Sequence, residues 1–223
     1  MDKLKPIIEN ITSIVNLIAN HGIWKIFQSI LLILIIIALL NPAATIQKVS
    51  EIIQSINREK VEFRQKNDPI IRNTLYDVVW KLGAVRVGVL EFHNGKQNPS
   101  GLGFYYADMN YEVVRNQDCY VSDQYCNVNL SLINLPDYLY KHGYWYGTVE
   151  ELQELDPKLA SMIQKNGTQW LAFLLLEGSD DLGILEVSFD HEPEDKQSIG
   201  RELRRVGTVV SSCLDFKNRD KHK

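Results

Sequence analysis

Apolar positions change their spacing several times along this chain, and each change marks a different kind of element. From Ile23 to Leu40 the sequence IWKIFQSILLILIIIALL is hydrophobic all round, with no polar side chain after Ser29. A helix buried in a protein core is normally shorter and keeps a polar face, whereas roughly 18 to 20 apolar residues at about 1.5 Å each span a bilayer's hydrocarbon core. The run predicts one transmembrane helix over 23–42, ended by Pro42. Ahead of it, residues 1–22 put Ile7, Ile8, Ile11, Ile14, Val15 and Ile18 on one helical face, with Glu9, Asn10, Thr12, Ser13 and Asn16 opposite. An amphipathic segment of this kind lies in the headgroup region or packs on protein. Its presence before the run favours a retained anchor over a cleaved signal.

Beyond Pro42 the pattern becomes sparser. Over a polar juxtamembrane helix assigned to 43–67, Ile46, Val49, Ile53, Ile56 and Phe63 repeat at steps of three and four, interrupted by Lys60. That is a short coiled-coil-like stripe, suited to self-association or to docking on the chain's own domain. Asp68-Pro69 then has the form of an N-cap and first helical residue. Ile71, Leu75, Val78, Val79 and Leu82 supply the apolar face of the helix it would start, and Gly83 is placed to end it.

The domain assigned to 68–217 alternates helical and strand periods. Ala84 to Phe92 and Phe104 to Arg115 read as strands, while 116–135 has no clear period. Leu135 to Tyr146 and Val149 to Asn166 read as short helices. Trp170 to Leu176 and Gly183 to Phe189 read as two more strands joined through Gly178-Ser179-Asp180-Asp181. A closing helix over Glu194 to Phe216 carries Ile199, Leu203, Val206, Val210, Cys213 and Leu214 on one face, and a polar tail occupies 218–223. Helix, two strands, irregular middle, two strands and helix is the order of GAF- and PAS-like domains. In that α+β class an antiparallel sheet carries the terminal helices on one face.

Charge and composition narrow the function. With 223 residues and a formal net charge of −4, the chain has no basic stripe and nucleic acid is not an expected partner. Lys3, Lys5 and the free amino terminus precede the apolar run and Lys25 lies at its start, against Lys48, Arg58 and Lys60 after it, which leans slightly toward a cytoplasmic N-terminus and an exported domain. Three cysteines form no framework. Export would allow Cys119 and Cys126 to form a local disulfide, but they read first as small buried or surface thiols. They lack the second ligand pair of a zinc site, so no metal is expected. No nucleophile elbow, HExxH or Walker loop is present, and neither a catalytic residue nor a cofactor is assigned. His93, Asp108, Glu112, His142 and His191 make a pocket only on paper. Tyr138, Tyr140, Tyr144, Trp145 and Tyr146 read as core and rim. Phe92-His93-Asn94-Gly95-Lys96 reads as a hairpin turn, with ligand contact by His93 or Asn94 as the alternative.

The layout as a whole resembles the single-span holins of T-even-type bacteriophages. The resemblance rests on the short amphipathic start, the span near 24–42, the charged helix after it and the globular C-terminal domain. It also rests on the closing order: the Trp170 to Leu176 strand, the Gly183-led strand and a final helix carrying Cys213. It implies a protein that accumulates in the bacterial inner membrane with its domain in the periplasm. There it would oligomerise and open lesions that release endolysin, and an antiholin would bind the soluble domain. Lys25, Gln28 and Ser29 in the span and Ile46, Val49, Ile53 and Ile56 beyond it would form the membrane and self-association surface. Two other readings stand beside it: a membrane-anchored GAF-like sensor, and a ligand-triggered membrane effector, both with a cytoplasmic small-molecule-binding domain. No output module is read after Lys223, which favours self-contained membrane action over relay.

Overall fold

The computed structural model describes residues 40–97, 103–116, 120–179 and 181–219, with isolated positions between 24 and 36. The expectations for 1–22, for most of 23–42, and for Lys25, Ser29 and Cys119 lie outside the described residues. Among the described residues no helix is long and apolar enough to cross a membrane. The chain divides into two compact units, 1–59 and 60–223.

In the first unit, Asn41 caps the start of helix α1 (Pro42–Leu82), with its side chain accepting from the Ala44 amide at 3.3 Å. Ile46, Val49, Ile53 and Ile56 all stand exposed, at 70, 50, 52 and 43%. Gln28, the described polar residue of the apolar run, is also exposed.

α1 does not stop at Lys66 and restart at Asp68, as the sequence predicts; it runs unbroken through Pro69. Proline removes one helical donor and crowds the carbonyl four residues back. Pro69 is exposed, so the carbonyl it leaves bare can turn to water. Asp68 is occupied elsewhere: it accepts from the Tyr111 hydroxyl and lies 3.6 Å from Arg64. Arg64 also pairs with Glu91 and sits over the Tyr111 ring.

The second unit is built on one antiparallel sheet of six strands: β1 (Arg86–Gln97), β2 (Gly103–Val114), β3 (Val128–Asn129), β4 (Tyr144–Thr148), β5 (Trp170–Glu177) and β6 (Asp181–Phe189). Their order is β3-β2-β1-β6-β5-β4. Strand alternation gives the sheet two apolar faces. On one, Val87, Val89, Tyr111, Trp170, Val187 and Phe189 pack against the C-terminal half of α1 and against α5 (Lys196–Leu214). Ile71, Leu75, Val78 and Val79 come from α1, and Ile199, Leu203, Val206 and Val210 from α5, as their spacing predicts. Asn67 ties the helices together by donating to the Cys213 carbonyl at 3.0 Å.

The opposite face carries Leu90, Ala107, Met109, Leu171, Phe173, Leu175 and Ile184. It is covered by α2 (Leu135–His142), α3 (Val149–Leu155), α4 (Pro157–Gln164) and the irregular stretch from Val121 to Ile133. Three predicted elements change here. The helix over Leu135 to Tyr146 ends at Gly143, whose φ of 79° only glycine adopts freely, and Tyr144 onward forms the edge strand β4. The helix over Val149 to Asn166 breaks at Asp156-Pro157, where Asp156 caps α4 through the Leu159 amide. The turn at Asn94-Gly95 lies inside β1, whose pairing with β2 continues to Gln97 opposite Gly103.

Candidate functional site

Buried polar residues on the central strands are the anomaly of this sheet. Arg86 begins β1 among valines and is 1% exposed; Glu186 and Ser188 interrupt the apolar run of β6 at 1 and 0%. Register brings them together, because Arg86 lies opposite Ser188, and Gly88 opposite Glu186. Arg86 Nη2 donates to Glu186 Oε1 at 3.0 Å, to Ser188 Oγ at 3.1 Å and to Thr168 Oγ1 at 3.5 Å. Ser188 Oγ in turn donates to Glu186 Oε1 at 2.6 Å. From β2, Glu112 places Oε1 4.0 Å from Arg86 Nε. Burial opposes the charge on Arg86, but Glu186 and Glu112 outweigh it and hold the guanidinium above its ordinary value.

This network borders an apolar cleft of about 350 Å³, counting the space open to solvent. Its floor is Leu90, Phe173, Ile184 and Glu186; Leu135, Pro136 and Leu159 form a wall, and Tyr125, Val128, Leu130 and Ile133 form a roof. As it stands, the cleft has free room for about one water molecule. Two atoms beside it are buried without a hydrogen-bond partner: Glu186 Oε2 and the Tyr125 hydroxyl. Burial pushes the Tyr125 hydroxyl well above the usual tyrosine range, with the Glu186 carboxylate adding to it, so the phenol stays neutral.

The roof has little sheet or helix of its own. It consists of a 3-10 turn over Ser122–Tyr125, the two-residue strand β3 and a second 3-10 turn over Leu130–Leu132. Carboxylates from outside the roof hold its backbone instead. Glu112 accepts from the Val121 and Ser122 amides at 2.8 and 2.9 Å, and Asp108 accepts from the Asn127 amide. Asp156 accepts from the Asn134 and Leu135 amides at 2.7 and 3.0 Å. Bonds of this kind are charge-assisted and stronger than their neutral counterparts. The roof is thus pinned at Val121-Ser122 and at Asn127, with one short strand pairing beyond them, while Asp156 holds the junction where it meets α2.

The histidines and acids that the sequence offers as a set are dispersed. His93 Nε2 lies 3.2 Å from Asp108 Oδ2 on β1 and β2, while Glu112 belongs to the Arg86 network. His142 packs its ring 4.3 Å from that of Tyr138, and His191 bonds Asp190 at 2.7 Å. Asn94 is paired with Tyr105 in the β1–β2 ladder. Among the described residues no cluster of three or more metal-ligating side chains exists. Cys126 is an exposed free thiol, and Cys213 is a buried one. Of the aromatic group, Tyr144 and Tyr146 stack half-exposed on the α5 side of β4, where Tyr146 also meets Trp170, and Trp145 packs near Phe173 on the opposite face. Spacing along the sequence does not bring Arg86, Glu186 and Tyr125 together. The available signal was polar residues at alternate positions inside two otherwise apolar strand runs.

No family model matches the chain, and no curated protein does. Solved structures do. The chain is similar to the phycocyanobilin-bound GAF domain of a cyanobacterial phytochrome, with a TM-score of 0.52 at 14% identity, over 75% of this chain and 95% of that one. It is similar to the PixJ GAF domain of Thermosynechococcus elongatus in its blue-light-absorbing form, with a TM-score of 0.50 at 16% identity, over 67 and 83%. A far-red cyanobacteriochrome photoreceptor matches with a TM-score of 0.50 at 12% identity, over 74 and 93%. At these identities the likeness is one of fold: most of the chain adopts the α+β GAF fold.

Proposed function

We propose that this protein is a membrane-tethered sensor or effector whose GAF domain takes a small molecule into the cleft under residues 121–133. The observation that carries the reading is the pairing of two buried, unpartnered polar atoms, Glu186 Oε2 and the Tyr125 hydroxyl, with an apolar cleft. A buried polar group without a partner is unfavourable by about 1–3 kcal/mol, and folded proteins keep few of them without a reason. The phytochrome GAF domain holds phycocyanobilin, which supports ligand reception by this fold. Tethering rests on the apolar run of 23–42. This reading places the domain in the cytoplasm, against the slight lean of the lysine and arginine count toward export.

The holin reading keeps the span and the self-association but needs the domain in the periplasm. The comparisons lend it no support. Protease added to spheroplasts expressing the full chain separates the two. A protected domain, digested only after the inner membrane is lysed, is the expected result. Digestion in intact spheroplasts would place the domain outside and overturn the cytoplasmic placement in favour of export.

A further inference from the structure

We infer that the cleft selects a small ligand with a compact apolar body and a cationic N–H donor head, such as an amidinium or ammonium, seated against Glu186. This inference rests on the ligand-binding reading above and adds the chemistry of the ligand.

The argument starts from the two oxygens of Glu186. Oε1 is already satisfied by Arg86 and Ser188, at 3.0 and 2.6 Å. Oε2 is buried and receives no donor from the protein. A carboxylate oxygen is acceptor-only, so whatever completes it must bring an N–H or O–H. The charge count decides which. Arg86 brings one positive charge, and Glu186 and Glu112 bring two negative ones; all three side chains are 3% exposed or less. Glu112 spends its oxygens on the Val121 and Ser122 amides, neutral donors that bring no positive charge. The buried cluster therefore carries one uncompensated negative charge at the end of a cleft otherwise lined by aliphatic and aromatic carbon. An anionic ligand would meet that carboxylate in a medium that screens poorly, and a neutral one would leave the excess charge in place. A cation removes it and gains a charge-assisted bond.

Tyr125 supplies the second contact. Its neutral hydroxyl can accept from the same head group or donate to a heteroatom beside it. Leu90, Leu130, Leu135, Phe173 and Ile184 line the cleft, whose free room holds about one water, so an apolar body is seated only as the roof moves outward, and a flat or compact group needs the least movement. Entry requires the roof to lift. The bonds that pin it are donated by roof amides to the Glu112 and Asp108 carboxylates, so it can move without opening the β1–β6–β5 ladder.

The rival occupant is a single structural water donating to Oε2 and bonding the Tyr125 hydroxyl. Titration calorimetry on the full-length protein in non-ionic detergent distinguishes the possibilities, with benzamidine, its neutral isostere benzamide and anionic benzoate as probes. The expected result is saturable benzamidine binding, at least about tenfold weaker benzamide binding and no benzoate binding. Glu186→Gln weakens benzamidine by at least about tenfold. Tyr125→Phe, which leaves the Arg86 pair intact and guards against a folding defect in the first variant, weakens it by a smaller, measurable factor. Benzamide or benzoate binding as well as benzamidine, or wild-type affinity in both variants, overturns the cationic assignment and leaves the small-molecule reading standing. Absence of binding by all three probes assigns the two atoms to a water and overturns both.

Discussion

Arg86 is the residue on which the buried network depends, because it is the one cation among Glu186, Glu112 and Tyr125. Replacing it with Met leaves Glu186 buried and uncompensated, and breaking such a pair from one side is unfavourable by about 3–5 kcal/mol. Removing both charges is far milder. Urea unfolding should therefore show a large loss for Arg86→Met and a recovery of most of it in Arg86→Met with Glu186→Leu. Equal losses in the single and double variants would mean that the pair contributes shape rather than charge balance. A second residue governs the acid response. Burial would raise the Asp215 carboxyl, but bonds from Ser179 and Asn218 outweigh it and hold it below the ordinary carboxylate value. A depressed native pKa means that the unfolded chain takes up the proton first as pH falls. The stability Asp215 provides is fully present above about pH 4 and is lost as pH drops through its lower folded value. Glu202, held down by Arg205 and Lys81 against the opposing effect of burial, behaves the same way. The melting midpoint should fall below about pH 4, and more gently in Asp215→Asn; parallel curves would remove Asp215 from the acid transition.

Elements whose apolar period was long were legible in the sequence, and those set by one or two backbone positions were not. The α5 face of Ile199, Leu203, Val206 and Val210 and the strands from Trp170 and Gly183 fall where their spacing puts them. β4 was read as helix because Tyr144, Trp145 and Tyr146 follow a helical pattern without interruption. Only Gly143 in a left-handed turn separates them, with β5 pairing holding the strand. Pro69 misled in the opposite direction, since an exposed proline interrupts a helix less than its sequence signature suggests. The candidate site was illegible for a related reason: Arg86, Glu112 and Glu186 lie on three strands, and only register makes them neighbours. That register has a testable anchor at Gly183. A Cβ there would sit 2.0 Å from the Leu90 carbonyl oxygen, a backbone atom that cannot swing away. At Gly88 the nearest atom, at 3.0 Å, is the flexible end of Met109. Gly183→Ala should lower stability by more than about 2 kcal/mol and shift the β1–β6 ladder, while Gly88→Ala loses markedly less. Equal effects of the two changes in chemical denaturation would show that the ladder tolerates an outward shift at this point.

At the scale of the whole molecule, contact between copies of the chain is a route by which the proposed ligand binding would be relayed. Ile46, Val49, Ile53 and Ile56 leave half or so of their side-chain surface in water, at the three-and-four spacing of a coiled-coil seam. Each isoleucine buried against a second copy is worth about 1.5–3 kcal/mol, but about two heptads give only weak association on their own. The apolar run that precedes the seam would raise the local concentration of copies by confining them to a bilayer, converting weak contact into assembly. An aspartate at the centre of the seam would have to be desolvated in every copy. Ile53→Asp should therefore reduce self-association of the full-length protein in detergent micelles by at least about tenfold, measured by sedimentation equilibrium, while benzamidine binding in the cleft is unchanged. Gln28→Leu tests the membrane side of the same surface, because it removes a polar group able to bond between helices without altering the seam. If Ile53→Asp associates like the wild type and Gln28→Leu does not, self-contact belongs to the apolar run and the seam is a solvated helix face. If neither variant differs from the wild type, the stripe and the run are not an assembly surface, and ligand binding would have to act through a single copy.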